Sequence, residues 1–351
     1  MIQGKTQTSL RKGMDFLFKG PLIRPENRPE TLPVEVTGGS VDIDIAVEIP
    51  LDDLESTTVL GNAVVRNGKG VLPEGVPLTN VNGSVSFTER SVVSDNVRAR
   101  FLGGDTYGRL VTVEEAQPPV MKLIARGKAE VTALEPWVGE HILTWLDGAA
   151  DWQGELLIDG PSLQINGQSE LSGVTVSAPA PLAKAADESA NFALSMTLGD
   201  ADVLPALSLK YNDDVAVRFK GVAPAAGSNA ESSLFDSSLI SVGVRAGTQL
   251  KPGINFSIDD DAVNIDDWLT AVIDLASYTP MQESNNTDFL DAMRSIEIRS
   301  ANPMLLGREF GKLTVSAVSV DGFKWVGTLD GDNIRGTMKM QPRDTVGKYE
   351  F

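Results

Sequence analysis

The chain has 351 residues, more than a single core usually sustains, so two globular domains or one elongated repetitive body are the natural options. Against 48 Asp and Glu stand 30 Lys and Arg, a formal charge of −18 that repels phosphate backbones and anionic leaflets and argues against a nucleic-acid partner. With no Cys and one His there is no disulfide framework, Cys nucleophile or two-His metal motif; 42% hydrophobic residues, only 6% aromatics and 33 Gly favour aliphatic strands and turns.

No apolar run reaches the ~18 residues of a membrane span, and the first residues lack the apolar core and cleavage site of a signal peptide. An internal segment of a longer polypeptide is expected. Leu10–Phe18 is expected to form a short helix, and the following prolines, through Pro33, make a connector. From Ser40 the clearest strand begins: Val41, Ile43, Ile45, Val47 and Ile49 alternate with Asp42, Asp44, Ala46 and Glu48. At ~3.3 Å per residue this is roughly 30 Å of strand with one aliphatic face, stopped by Pro50.

Val59–Arg66, Gly83–Thr88, Val97–Phe101 and Met121–Val131 continue the alternation, with Asn67-Gly68, Asn82-Gly83 and Gly103-Gly104 as hairpin punctuation. Leu134, Trp137, Val138, Ile142, Leu143 and Leu146 are spaced as in a short helix over Thr132–Asp147. Then comes a three-strand meander. Trp152, Gly154, Leu156 and Ile158 alternate with mostly polar residues up to the turn at Asp159-Gly160-Pro161; Leu163 and Ile165 follow; after Ser172-Gly173 come Val174, Val176 and Ala178, ended by Pro179 and Pro181.

Leu207, Leu209 and Tyr211 flank Asn212-Asp213-Asp214 with Val215, Val217 and Phe219, a further hairpin. Pro224–Ser233 reads as a flexible loop, Ile265–Leu275 and Thr287–Met293 as short helices covering a sheet, and Phe323–Met340 as a last amphipathic hairpin. The expected fold is mainly β: an elongated, curved antiparallel sheet with a few short helices. Residues 1–35 form helix and connector, 36–222 a first sheet portion, 223–235 the loop and 236–351 a second sheet portion.

Chemistry-bearing motifs are sparse. His141 sits alone in a helical segment, where a structural or solvated role is the rule. Gly4-Lys5-Thr6 lacks the upstream glycine of a phosphate loop, and there is no G-x-S-x-G elbow. Asp330-x-Asp332 and Asp259-Asp260-Asp261 lack the acid spacing and sixth-position glycine of a calcium loop. Scattered Trp137, Trp145, Trp152, Trp268 and Trp325 suit core packing better than sugar stacking. The expectation is no catalytic residue, no metal site and no cofactor.

One resemblance carries further. Ser169-Glu170-Leu171-Ser172-Gly173-Val174 followed by Ala178-Pro179-Ala180-Pro181-Leu182-Ala183-Lys184 resembles the "S-D-L-x-G-L … L-P-x-P-L-x-K" signature of the YhdP branch of the AsmA-like proteins. Ile49-Pro50-Leu51, Asn82-Gly83-Ser84-Val85-Ser86-Phe87, Leu102-Gly103-Gly104, Ile265-Asp266-Asp267-Trp268 and the Trp325–Gly336 strand pair resemble that family's segments in the same order. The sequence departs from the signature at Ala178 and at Val174-Thr175. The resemblance implies a Gram-negative envelope protein, tethered to the inner membrane by an N-terminal helix absent from this chain. Such a protein crosses the periplasm as a long β-groove that carries phospholipid towards the outer membrane. Its implied partners are phospholipid acyl chains, the rest of the same polypeptide at both ends, and inner- and outer-membrane proteins.

On that reading Val41, Ile43, Ile45, Val47, Ile49, Leu156, Ile158, Leu163, Ile165, Val174 and Val176 line a lipid-accessible groove. Alternation alone suits a closed β-sandwich equally well, as a structural or carbohydrate-binding envelope module. A membrane barrel would need aromatic girdles that an acidic chain with four Tyr does not offer.

Overall fold

The computed structural model describes residues 1–19, 34–50, 52, 57–72, 75–113, 120–159, 162–199, 204–221, 236–243, 249–268, 270–271, 293–320, 324–342 and 349–350. The chain divides into two compact units, one built on residues 1–143 and 147–174, the other mainly on 175–197 and 201–351. Both are dominated by strands.

The first unit begins with β1 (Ile2–Ser9), α1 (Leu10–Lys19), β2 (Glu35–Glu48), β3 (Thr58–Val71), β4 (Pro77–Thr88) and β5 (Val92–Phe101). It continues with β6 (Gly103–Val113), β7 (Val120–Glu130), a 3-10 turn (Val131–Leu134), α2 (Glu135–Leu143), β8 (Leu146–Asp159) and β9 (Ser162–Ser169). From β1 to β9 every strand pairs antiparallel with the next in sequence. Helix α1 is capped by Ser9, whose Oγ accepts from Lys12 N at 3.4 Å, and Arg11 donates to Val36 O at 2.6 and 3.0 Å, which fixes the helix against the start of β2. Its Leu10 and Gly13 face turns onto β2, forming a core of Leu10, Val41, Ile43, Val59, Ala63 and Phe87. Two glycines make that packing possible. A Cβ on Gly13 would collide with Val41 Cγ1, and one on Gly61 with the Phe87 ring.

Strand β10 (Val174–Val176) falls at the division between the units, with Val174 in the first and Val176 in the second. The second unit contains β11 (Phe192–Leu198), β12 (Ala206–Tyr211), β13 (Val215–Lys220), β14 (Ser237–Val242), β15 (Lys251–Pro252), β16 (Ile254–Asp260) and β17 (Met293–Ser300). A small hairpin of β18 (Met304–Leu305) and β19 (Arg308–Glu309) follows, then β20 (Leu313–Ser319), β21 (Trp325–Gly331), β22 (Arg335–Pro342) and β23 (Tyr349–Glu350). Here the order is mixed: β14, β16 and β17 run parallel, and β17 returns antiparallel to β20. Residues 265–268 and 270–271 are helical and lie on the connection between β16 and β17, the crossover that parallel pairing requires. One register row, Val215–Val242–Ile258–Ile298–Val315–Leu329, lies against Val263, Ile265 and Trp268 to form the core of this unit.

The strand-dominated fold with few helices agrees with the sequence reading, and several local expectations change. Asn67-Gly68 and Asn82-Gly83 do not turn the chain; they sit inside β3 and β4, at register shifts. Asn82 Oδ1 accepts from Asn67 N at 3.0 Å and Asn96 Oδ1 from Ser84 N at 3.0 Å, so side-chain amides repair the ladder where the bulges interrupt it. The turn at the end of β5 is Leu102-Gly103, both with positive φ (52° and 79°). The expected helix over Thr132–Asp147 ends at Leu143, is broken at Gly139 (φ 76°), and gives way to β8 at Leu146. Strands β1, β6, β11, β14, β16, β17 and β20 form where no individual strand was read, and the parallel pairing departs from a purely antiparallel sheet. The connector after Lys19, the 223–235 loop and nearly all of the Thr287–Met293 helix lie outside the described residues; Met293 itself opens β17.

Candidate functional site

Strand register decides which predicted lining residues share a surface. Val41, Ile43, Ile45 and Val47 stand opposite Val65, Ala63, Gly61 and Val59 of β3; Ala63 and Gly61 in turn oppose Val85 and Phe87 of β4, and Phe87 opposes Val92 of β5. Ser94, two residues beyond Val92, opposes Leu110, from which the row runs Leu110–Leu123–Leu156–Ile165. Beside it run Thr112–Met121–Ile158–Leu163. Period-two alternation therefore places Val41, Ile43, Ile45, Val47, Leu156, Ile158, Leu163 and Ile165 on one apolar face of one sheet.

Cover over that face is uneven. Val41 and Ile43, at 2% and 3% exposure, lie beneath α1, whereas Ile45, Val47, Leu110, Met121, Leu123, Leu156, Ile158, Leu163 and Ile165 are half-buried. Further along the same edge α2 contributes Trp137, whose ring meets Phe101 edge-on at 6.2 Å while Phe101 meets Trp152 at 5.8 Å. Thr106 and Trp152, neighbours across Gly127, keep a buried Oγ1 and Nε1 with no hydrogen-bond partner among the described residues. At the helix-covered end of the face these buried polar atoms lie beneath the surface, beside aromatic rings. Ile49 lies beyond the end of β2 at 41% exposure. Val174 and Val176 are buried, and Val176 belongs to the second unit, where its backbone pairs with Lys184.

The opposite face is polar and charged. Lys5–Asp44 (2.6 Å), Arg66–Asp42 (3.1 Å), Arg109–Asp95 (2.7 Å) and Lys122–Glu155 (2.7 Å) pair across strands there. Such exposed pairs are each worth about 0–1 kcal/mol, so they keep the face in water more than they hold the sheet together.

In the second unit the sequence reading missed a second apolar row, Val217–Ile240–Phe256–Ile296–Ala317–Gly327–Met338, half-buried except at Ala317. Its signal was available in the alternation of Ile254, Phe256 and Ile258 and of Ile296 and Ile298. The segment carrying the signature also has a visible purpose. Ala180 O accepts from Trp268 Nε1 at 3.0 Å, Leu182 O accepts from Tyr211 Oη at 2.9 Å, and the Leu182 side chain packs on the core. Burial, with the Glu188 carboxylate as the smaller cause, pushes the Tyr211 phenol above its ordinary 10.0.

Buried polar groups serve structure. Asn255 Nδ2 donates to the carbonyls of Lys251, Pro252 and Gly253 at 3.0–3.1 Å, and its Oδ1 accepts from Ser295 Oγ at 2.6 Å, so the Ser–Asn cluster is tied to backbone with no base beside it. Among the described residues no three His, Asp or Glu side chains converge as a metal cluster, and no helix is long and apolar enough to cross a membrane. His141 lies in α2.

No curated protein and no solved structure matches the chain. A family model described as "YhdP protein" matches residues 1–349, nearly the whole length, in agreement with the signature at Ser169–Lys184 and the order of the flanking segments. The chain belongs to the YhdP family.

Proposed function

We propose that this chain is a non-enzymatic segment of a lipid-transport path, in which the apolar face of the first unit shelters phospholipid acyl chains. The observation that carries the reading is the half-buried row Leu110–Leu123–Leu156–Ile165, with half-buried Val92 and Ile45 on the far side of the buried Ser94 and Phe87, over which no second sheet lies among the described residues of that unit. A closed sandwich would need that second sheet. From β2 to β9 the seven inter-strand gaps, at ~4.8 Å each, span roughly 34 Å, comparable with the ~30 Å hydrocarbon core of a bilayer. An acyl chain lying across the strands therefore has room along the row.

Each buried CH₂ contributes about 0.8 kcal/mol, so binding energy is spread along the path and the lipid slides without any one residue being indispensable. Membership of the YhdP family supports placing the chain in the envelope. We place it in the periplasm, with the rest of its polypeptide continuing the path at both ends, an inner-membrane anchor, and membrane proteins as its neighbours.

The test is photo-crosslinking in cells. A crosslinker at Ile45, Leu123 or Leu156 should capture phospholipid, and one at Gln153 on the polar face should not. Equal capture on both faces, or none at the three apolar positions, ends this reading.

A further inference from the structure

On the polar face of the first unit the charge reverses sign. Strands β5, β6 and β7 carry six cations, Arg98, Arg100, Arg109, Lys122, Arg126 and Lys128, against the three acids Asp95, Asp105 and Glu130, within a chain of net charge −18. Arg109 and Lys122 are paired with Asp95 and Glu155. The other four make no ion pair among the described residues, although Asp105 and Asp151 stand opposite Arg100 and Lys128 in register. Elsewhere exposed cations such as Lys5, Arg66 and Arg335 are matched with Asp44, Asp42 and Asp330.

Register joins the four into one surface. Arg98 opposes Tyr107, Tyr107 opposes Arg126, and Arg126 opposes Gln153, while Arg100 and Lys128 follow two residues along their strands. The Arg98 guanidinium lies 5.9 Å from the centre of the Tyr107 ring, itself 50% exposed, and Ile124 beside it is 42% exposed. Cations two residues apart on one strand are ~7 Å apart, the spacing of alternate side chains in an extended peptide.

We propose that this surface docks an extended acidic segment of a partner protein, with acids at alternate positions set against Arg98, Arg100, Arg126 and Lys128. Complementary charge selects the ligand, and Tyr107 and Ile124 add apolar contact. An anionic membrane is the weaker candidate: a flat bilayer meets the field of the whole chain at −18, whereas a narrow peptide meets the local patch.

The test uses the full chain and a fluorescein-labelled Thr-Glu repeat of about ten residues, read by fluorescence anisotropy at low salt. The expected result is saturable binding that weakens about tenfold in the doubly substituted Arg98→Gln, Arg126→Gln chain, a loss of about 1.4 kcal/mol. A control with the same charge change, Lys5→Gln with Arg335→Gln, should leave binding within about twofold, and circular dichroism should show both variants folded. Absence of peptide binding, or an equal loss in the control, overturns the proposal. So does binding to phosphatidylglycerol vesicles that Arg98→Gln with Arg126→Gln weakens as much as it weakens the peptide, since the surface would then face a membrane.

Discussion

Val41 and Ile45 lie four residues apart on the same face of β2, yet one is sealed beneath α1 and the other is half-buried. An aspartate at Val41 would be an unpaired carboxylate in a dry site, costing several kcal/mol, so Val41→Asp is expected to lose the cooperative urea transition. Ile45→Asp keeps access to water and should lower stability by a smaller amount, about 1–2 kcal/mol, while lipid capture by a crosslinker at Val47, on the same face, falls. Equal unfolding of both variants would mean that Ile45 is closed core. Tyr211 gives a residue-scale prediction in pH. Its folded pKa is raised, chiefly by burial and secondarily by Glu188, so its contribution to stability is fully present below the ordinary phenol value and is lost as pH rises through the raised one. In Glu188→Gln the phenol should titrate lower than in the parent chain but stay above 10.0, because burial remains; ultraviolet absorbance of tyrosinate reads this directly.

At the scale of elements, helices and hairpins decide how much of each sheet face is covered. The β18–β19 hairpin turns through Leu306 and Gly307, both with positive φ (52° and 67°), a conformation that disfavours leucine. Its two turn amides donate to the carboxylate of Asp266, Leu306 N to Oδ1 at 2.7 Å and Gly307 N to Oδ2 at 2.8 Å, which fastens the hairpin to the helical residues that cover the core. Asp266→Ala is expected to destabilise the chain by about 1–2 kcal/mol and to speed proteolysis at the turn. Adding Leu306→Gly should restore part of the loss, since glycine adopts that conformation without strain. Failure of the second change to rescue would place the cost elsewhere in the hairpin. The signature segment acts likewise: two carbonyls held by Trp268 and Tyr211 lay its prolines across the second unit, which gives that motif a structural reason to exist.

At the scale of the whole molecule, the proposed transport face has no centre. Replacing any one of Leu123, Leu156 or Ile165 by alanine removes three carbon groups, about 2.4 kcal/mol of apolar contact, while the neighbouring rows remain. Single alanine variants are therefore expected to keep most of the phospholipid that copurifies, measured by mass spectrometry, and three together to lose most of it. One alanine variant that abolishes copurified lipid would point to a discrete pocket instead. The charge pattern is complementary, because ion pairs over the polar face keep it in water and leave the apolar face to the proposed lipid path.

Much of this was legible in the sequence, for a physical reason. Alternation of β2, β8 and β9 follows from successive side chains pointing to opposite sides of a strand, so Ile45, Leu156 and Ile165 declare an apolar face without any knowledge of neighbours. Family membership was likewise carried by local residues, Ser169–Gly173 and Pro179–Lys184. What alternation cannot carry is pairing. Whether Ile45 and Ile165 share a face depends on the registers of all the strands between them and on the bulges at Gly68 and Asn82. Polar β1 became a strand only because β2 offered it an edge, and β14, β16 and β17 became parallel only through a crossover of distant residues. Burial was decided the same way: Val41 and Ile45 are equivalent in sequence, and only the docking of α1, through the missing side chain of Gly13, made one core and left the other half-open.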